Sequence, residues 1–185
     1  SIAETLPSEV LLPWLNRYFE VMADCIMAHG GVVDKYIGDA IMAAFGVPVS
    51  RPDPDAMRQD ALAAMEASLA MVQRLATLNQ EFADQGLPTV RFGVGIHTGP
   101  LVAGTVGSRH RASYSLFGDT VNVADRLQNM TKELLTEAEY PILMSQATYD
   151  QVCDRYPGVE KVKMQLRGRV AGTRVYALNL AHTGK

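Results

Sequence analysis

GGVVDKYIGDAIMAAFG, residues 30–46, holds two β-prone runs, Val32 to Ile37 and Ala40 to Phe45, on either side of Gly38-Asp39. Gly-Asp between two such runs predicts a β-hairpin, because glycine adopts the backbone angles that a two-residue turn demands. Asp39 then stands at the tip with its carboxylate free. A carboxylate placed there suits a hard cation such as Mg2+, which prefers oxygen ligands. Gly-Asp is also a common turn pair, so spacing alone leaves open that Asp39 is a simple turn residue. Lys35, two residues before the turn, reads on its own as a solvated edge-strand lysine.

Upstream, Leu12, Leu15, Phe19, Met22 and Ile26 recur at three- and four-residue steps, which predicts a helix with one apolar face. Ser8 is its expected N-cap, with Glu9 in the first turn and Pro13 in that turn or at its start. Gly30 and Gly31 stop it. Downstream, Asp53-Pro54 reads as the cap and first residue of a long helix with Leu62, Met65, Leu69 and Val72 on one stripe. Val90 to Ile96 and Leu101 to Val106 are expected to pair with each other through the turn His97-Thr98-Gly99-Pro100. Tyr114 to Phe117 is a short strand, and Gly118-Asp119 opens a helix that buries Val123, Ala124, Leu127 and Met130. Ile142 to Met144, a helix from Gln146, and strands near Val162 to Leu166 and Arg174 to Leu178 complete the order. Hairpins scattered among helices predict one α+β domain over residues 1–185, with helices packed on a mostly antiparallel sheet.

The bulk composition agrees. Hydrophobic residues make up 48% of the 185, enough for a substantial core. The net charge of −3 gives no basic field for nucleic acid, so a phosphate ligand must be held by local cations or a metal. Cys25 and Cys153 have no metal-ligand spacing and read as idle thiols of a reducing compartment. No apolar run approaches membrane-spanning length. The expectation is a cytoplasmic domain that makes no membrane contact itself, whatever anchors its parent.

A second constellation lies in YSLFGDTVNVADRL, residues 114–127. Asn122 and Arg126 are four apart on the predicted helix and share a face away from its apolar stripe. An amide beside a guanidinium suits an oxyanion or a phosphoryl group. A plain polar helix surface remains open, since Asp125 lies beside them.

Together with RFGVGIHTGPLVAGTVGS, residues 91–108, these two segments resemble the successive core segments of class III adenylyl and guanylyl cyclases, in the family's order. The likeness runs from Ser1 to about Leu180. It implies a ferredoxin-like α+β core and a head-to-tail homodimer with active sites at the interface. It also implies two divalent ions, Mg2+ or Mn2+, held by two aspartates. The ribose 3′ oxygen of a nucleoside triphosphate attacks the α-phosphate, and pyrophosphate leaves.

The resemblance assigns residues as follows. Asp39 matches one metal aspartate, and Lys35 matches the purine-selecting lysine of adenylyl cyclases, where guanylyl cyclases commonly have glutamate. An ammonium can donate to adenine N1, whereas a carboxylate would accept from guanine. Ser115 matches the second selector position; its hydroxyl permits adenine without enforcing it. Asn122 matches the asparagine that positions the ribose. Arg126 matches the arginine that meets charge on the α-phosphate in the transition state. Arg167, in LRGR, matches the triphosphate-binding lysine of the family. His97 matches a structural turn position rather than a base. The implied activity is adenylate cyclase, with ATP as substrate. Guanylate cyclase and a noncatalytic pseudo-cyclase module are the alternatives. The Gly-Gly-[Asp/Glu]-Glu-Phe signature of diguanylate cyclases does not match Ile37-Gly38-Asp39-Ala40. The departure is at the front: the family strand that carries the other metal aspartate precedes the first helix, and Ser1-Ile2-Ala3-Glu4 resembles the residues after it. The expectation is therefore an N-terminally truncated domain with little activity on its own.

Overall fold

The computed structural model describes residues 6–49, 53–134, 142–164 and 172–178. In chain order the elements are α1 (Ser8–Ala28), β1 (Val32–Ile37), β2 (Ala40–Ala44), α2 (Pro54–Asp84), β3 (Val94–Ile96), β4 (Val102–Ser108), β5 (Arg111–Phe117), α3 (Asp119–Leu134), β6 (Ile142–Ser145), α4 (Gln146–Val152), β7 (Gly158–Met164) and β8 (Thr173–Leu178).

A four-stranded sheet in the order β3-β6-β8-β7 forms the centre. Its β3–β6 pair is parallel and the other two pairs are antiparallel. All four residues of β6 are buried, because both faces of this sheet are covered. On one face Ile142 and Met144 pack with Ala61 and Met65 of α2 and Val152 of α4. On the other, Leu143 packs with Val123 and Leu127 of α3. This is the expected α+β class. A further cluster joins α1 to α2 through Trp14, Tyr18, Met22, Leu75, Leu78 and Phe82.

α3 lies very close to β3, and glycine allows it. A Cβ on Gly95 would run into the backbone of Ala124 and Gln128. With no side chain there, α3 is held directly against the strand, and the positions of Asn122 and Arg126 follow from that seat.

Several expectations change. The Val90–Ile96 run does not pair with the Leu101–Val106 run; β4 pairs antiparallel with β5 over Val102 to Phe117. Only Val94 to Ile96 is strand, because β3 finds its partner in β6, across α3. Such a parallel pair needs a long crossover that local patterning does not reveal. Ser8 is the first helical residue rather than the cap; Pro7 precedes α1 and no side chain caps it. Pro13 lies inside α1, on its exposed side, where the Glu9 carbonyl that loses its partner can bond to water. The buried stripe of α1 is Trp14, Tyr18, Val21, Met22, Cys25 and Ile26, while Leu12 is 61% exposed. Asp53 does cap α2, accepting from the Ala56 amide at 3.1 Å, with Pro54 as first residue.

Candidate functional site: a lysine–serine–aspartate cluster beside a carboxylate-tipped hairpin

β1 and β2 form the hairpin that residues 30–46 predict, with Ile37 opposite Ala40. Gly38 has φ of +62° and Asp39 a negative φ, the pattern of a type II′ turn. Asp39 is exposed at the apex. Its charge is felt by the buried Tyr18: desolvation, reinforced by Asp39, pushes that phenol up to about 12.

The hairpin is not regular. Val33 pairs with Ala43 and Lys35 with Met42, so Asp34 is an extra residue in β1. A bulge of this kind re-aims neighbouring side chains. Here both Asp34 and Lys35 reach Ser115 of β5. Lys35 Nζ donates to Ser115 Oγ at 2.5 Å. Ser115 Oγ donates to Asp34 Oδ2 at 3.3 Å. The same Asp34 oxygen lies 3.3 Å from Lys35 Nζ. The Asp34 side chain is 2% exposed and that of Lys35 44%, so a buried carboxylate backs a partly open ammonium. Opposite Ser115 in the β4–β5 register stands Gly104, where a Cβ would meet nothing within 4 Å. No side chain fills the space at Gly104, although Ser115 itself is only 4% exposed.

The structure thus brings Lys35 and Ser115 together and adds Asp34. The bulge that delivers it has no local sequence signature. Asn122 and Arg126 sit on the exposed side of α3, opposite the buried Val123 and Leu127. Asn122 and Asp39 line one cavity of about 2120 Å³, which runs between β2 on one side and residues 90–96 on the other. Among the described residues β2 pairs only with β1, and β3 only with β6, so two unpaired strand edges border this cavity. Arg167 lies outside the described residues.

His97 lines the same cavity and is hydrogen-bonded into the turn. Its Nδ1 lies 2.7 Å from Ser145 Oγ, which accepts from the Thr148 amide. Thr148 Oγ1 reaches the Ile96 carbonyl at 3.3 Å and Thr98 Oγ1 at 3.1 Å. Thr120 donates to the Pro100 carbonyl at 2.5 Å and ties the start of α3 to the same turn. Cys25 and Cys153 are free thiols, and burial pushes the Cys25 thiol up.

No group of three or more His, Cys, Asp or Glu that could hold a metal occurs among the described residues. Asp39 fits a divalent cation as one hard oxygen ligand, exposed and on the cavity wall. No described helix is long and apolar enough to cross a membrane.

The family model described as adenylate and guanylate cyclase catalytic domain matches residues 2–179. Adenylate cyclase 1 of Rhizobium meliloti is 33% identical over 95% of this chain and 25% of its own length. Adenylate cyclase of Anabaena cylindrica is 38% identical over 75% of this chain and 27% of its own. The chain therefore spans about a quarter of the length of these relatives. Among solved structures, the adenylyl cyclase CyaB from P. aeruginosa superposes with a TM-score of 0.80 at 30% identity, covering 95% of this chain and 85% of that one. The guanylyl cyclase Cya2 also gives 0.80, at 31% identity, covering 95% and 83%. Overall likeness does not separate the two purines.

Proposed function

The chain belongs to the adenylate and guanylate cyclase catalytic-domain family, and on that premise we propose that it converts ATP to 3′,5′-cyclic AMP and pyrophosphate. The observation that carries the choice of ATP is the 2.5 Å contact between Lys35 and Ser115. The two residues that match the family's purine selectors lie eighty positions apart and are in direct contact, Lys35 half-exposed and Ser115 buried beneath it. The Lys35 ammonium donates to the N1 acceptor of adenine, whereas guanine presents a donor there. The likeness to Cya2 favours a guanylate cyclase as the second reading, and Lys35 opposes it.

Each group then has a task. Lys35 and Ser115 hold the base. Asn122 orients the ribose, and Arg126 meets the charge that grows on the α-phosphate, so it acts mainly in the transition state. Arg167 holds the triphosphate. Asp39 would hold a divalent ion, Mg2+ or Mn2+; when bound, such an ion neutralises phosphate charge and eases formation of the attacking ribose oxygen. A noncatalytic module would have no use for Asp39, Asn122 and Arg126 together.

The working unit is a homodimer in which Asp39 of one subunit faces Asn122 and Arg126 of the other. Exposed apolar side chains support an interface on the β4–β5 hairpin: Val102, Val106, Tyr114 and Phe117 are each at least 43% exposed. The cavity between β2 and β3 is suited to an extended segment, because the two strand edges that border it find no strand partner among the described residues. The test is to incubate the full protein with ATP and Mn2+ and identify the products. Cyclic AMP and pyrophosphate in equal amounts support the assignment; ADP and phosphate, or no product, refute it.

A further inference from the structure

We infer that Asp34 is a positioning residue that sets purine choice by fixing which way the Ser115 hydroxyl points. The inference rests on the reading of Lys35 and Ser115 as the base-recognition surface and adds a third residue to it.

A serine hydroxyl has one hydrogen to give and two lone pairs to accept with. Unassisted, it serves adenine or guanine alike, because it can accept from the amino group of one or donate to the O6 of the other. Asp34 removes that freedom. A carboxylate only accepts, so the hydrogen of Ser115 is directed toward Asp34 Oδ2, 3.3 Å away. Lys35 has no acceptor, so its contact with Ser115 Oγ at 2.5 Å uses one lone pair. Ser115 is left with a lone pair as its contribution to a ligand.

The resulting surface offers an ammonium donor beside a hydroxyl acceptor. Adenine presents the complement, an acceptor at N1 beside the amino donor at C6. Guanine presents a donor at N1 and an acceptor at O6, and so meets like groups at both places. A binding surface that leaves polar groups facing their like discriminates far more strongly than one that only fits by shape. The Asp34 side chain is 2% exposed and placed by the β1 bulge, so bulk water does not compete for the serine hydrogen. The bulge also explains how two consecutive residues, Asp34 and Lys35, both reach Ser115.

The test measures kcat/KM for ATP and for GTP in the full protein and in Asp34→Asn, Ser115→Ala and the double variant. Displacement of a ribose-labelled fluorescent ATP by each nucleotide runs alongside as a binding readout. An asparagine can donate to Ser115 and free its hydrogen. Asp34→Asn is expected to raise GTP relative to ATP about tenfold, in both readouts. In the Ser115→Ala background the same change should leave the ratio within about twofold, since no hydroxyl remains to orient. Should Asp34→Asn unfold, Ser115→Ala alone decides: it too must erode the preference for ATP. A wild-type protein that treats ATP and GTP alike overturns both the base-reading assignment and this inference. A wild-type preference for ATP that Asp34→Asn leaves in place, lowering both nucleotides in equal proportion, overturns this inference alone. So does a shift that persists without the Ser115 hydroxyl.

Discussion

Lys35 Nζ lies 2.5 Å from Ser115 Oγ, although eighty residues separate them in the chain. β1 and β5 belong to different hairpins, so this contact is the product of the fold and not of local sequence. If the pair holds the base, changing its hydrogen-bonding character should change the preferred purine. Lys35→Glu with Ser115→Cys is expected to move the ATP:GTP ratio of kcat/KM toward GTP by about a hundredfold, as two hydrogen-bond mismatches suggest. A ratio that stays put would remove both residues from the base site.

Arg126 stands one turn beyond Asn122 on the exposed side of α3. A group that meets charge only as it develops contributes to kcat and little to KM. Arg126→Ala should lower kcat by about 10²–10³ with KM within a few fold. A rise in KM with kcat unchanged would place Arg126 in ground-state binding instead.

Asp39 and Arg126 are assigned to opposite sides of a shared site. Protein carrying Asp39→Asn and protein carrying Arg126→Ala should each be nearly inactive. Mixed and allowed to exchange subunits, they form hybrids with one intact site each, and activity should recover to about a quarter of wild type. Mixing without any recovery would mean that each site is built from a single chain.

Tyr18 gives the fold a pH dependence of its own. Burial first, and the negative charge of Asp39 second, raise its phenol from 10 to about 12. Below pH 10 Tyr18 is neutral in both folded and unfolded chains and adds no slope. Above it the unfolded chain releases the proton first, so folded stability falls as pH rises, by about 2–3 kcal/mol once both states are ionised. Urea unfolding at pH 9 and at pH 11 checks this: the loss in wild type should exceed that in Tyr18→Phe. Equal losses would show that Tyr18 does not feel its burial.

Much of this was legible locally. The Gly38-Asp39 hairpin, the Asp53-Pro54 helix start and the Asn122/Arg126 face follow from turn chemistry, capping and helical spacing, and all three stand in the structure. What local reading missed depends on distant partners. Val90 to Phe92 looks β-prone yet is not strand, since β3 pairs only where β6 reaches it. Leu12 fits the apolar period of α1 but faces outward, and the stripe is instead centred on Trp14 and Tyr18, which α2 covers. Asp34 carried no signal because its role arises from a bulge and from a serine on another hairpin.

The most direct measurement is a structure of the full protein with a non-cyclisable ATP analogue and a divalent cation. Adenine N1 should lie within hydrogen-bond distance of Lys35 Nζ and its amino group beside Ser115 Oγ, with the cation on Asp39 of the facing subunit. A base bound elsewhere, with Lys35 and Ser115 touching only each other, would contradict the account.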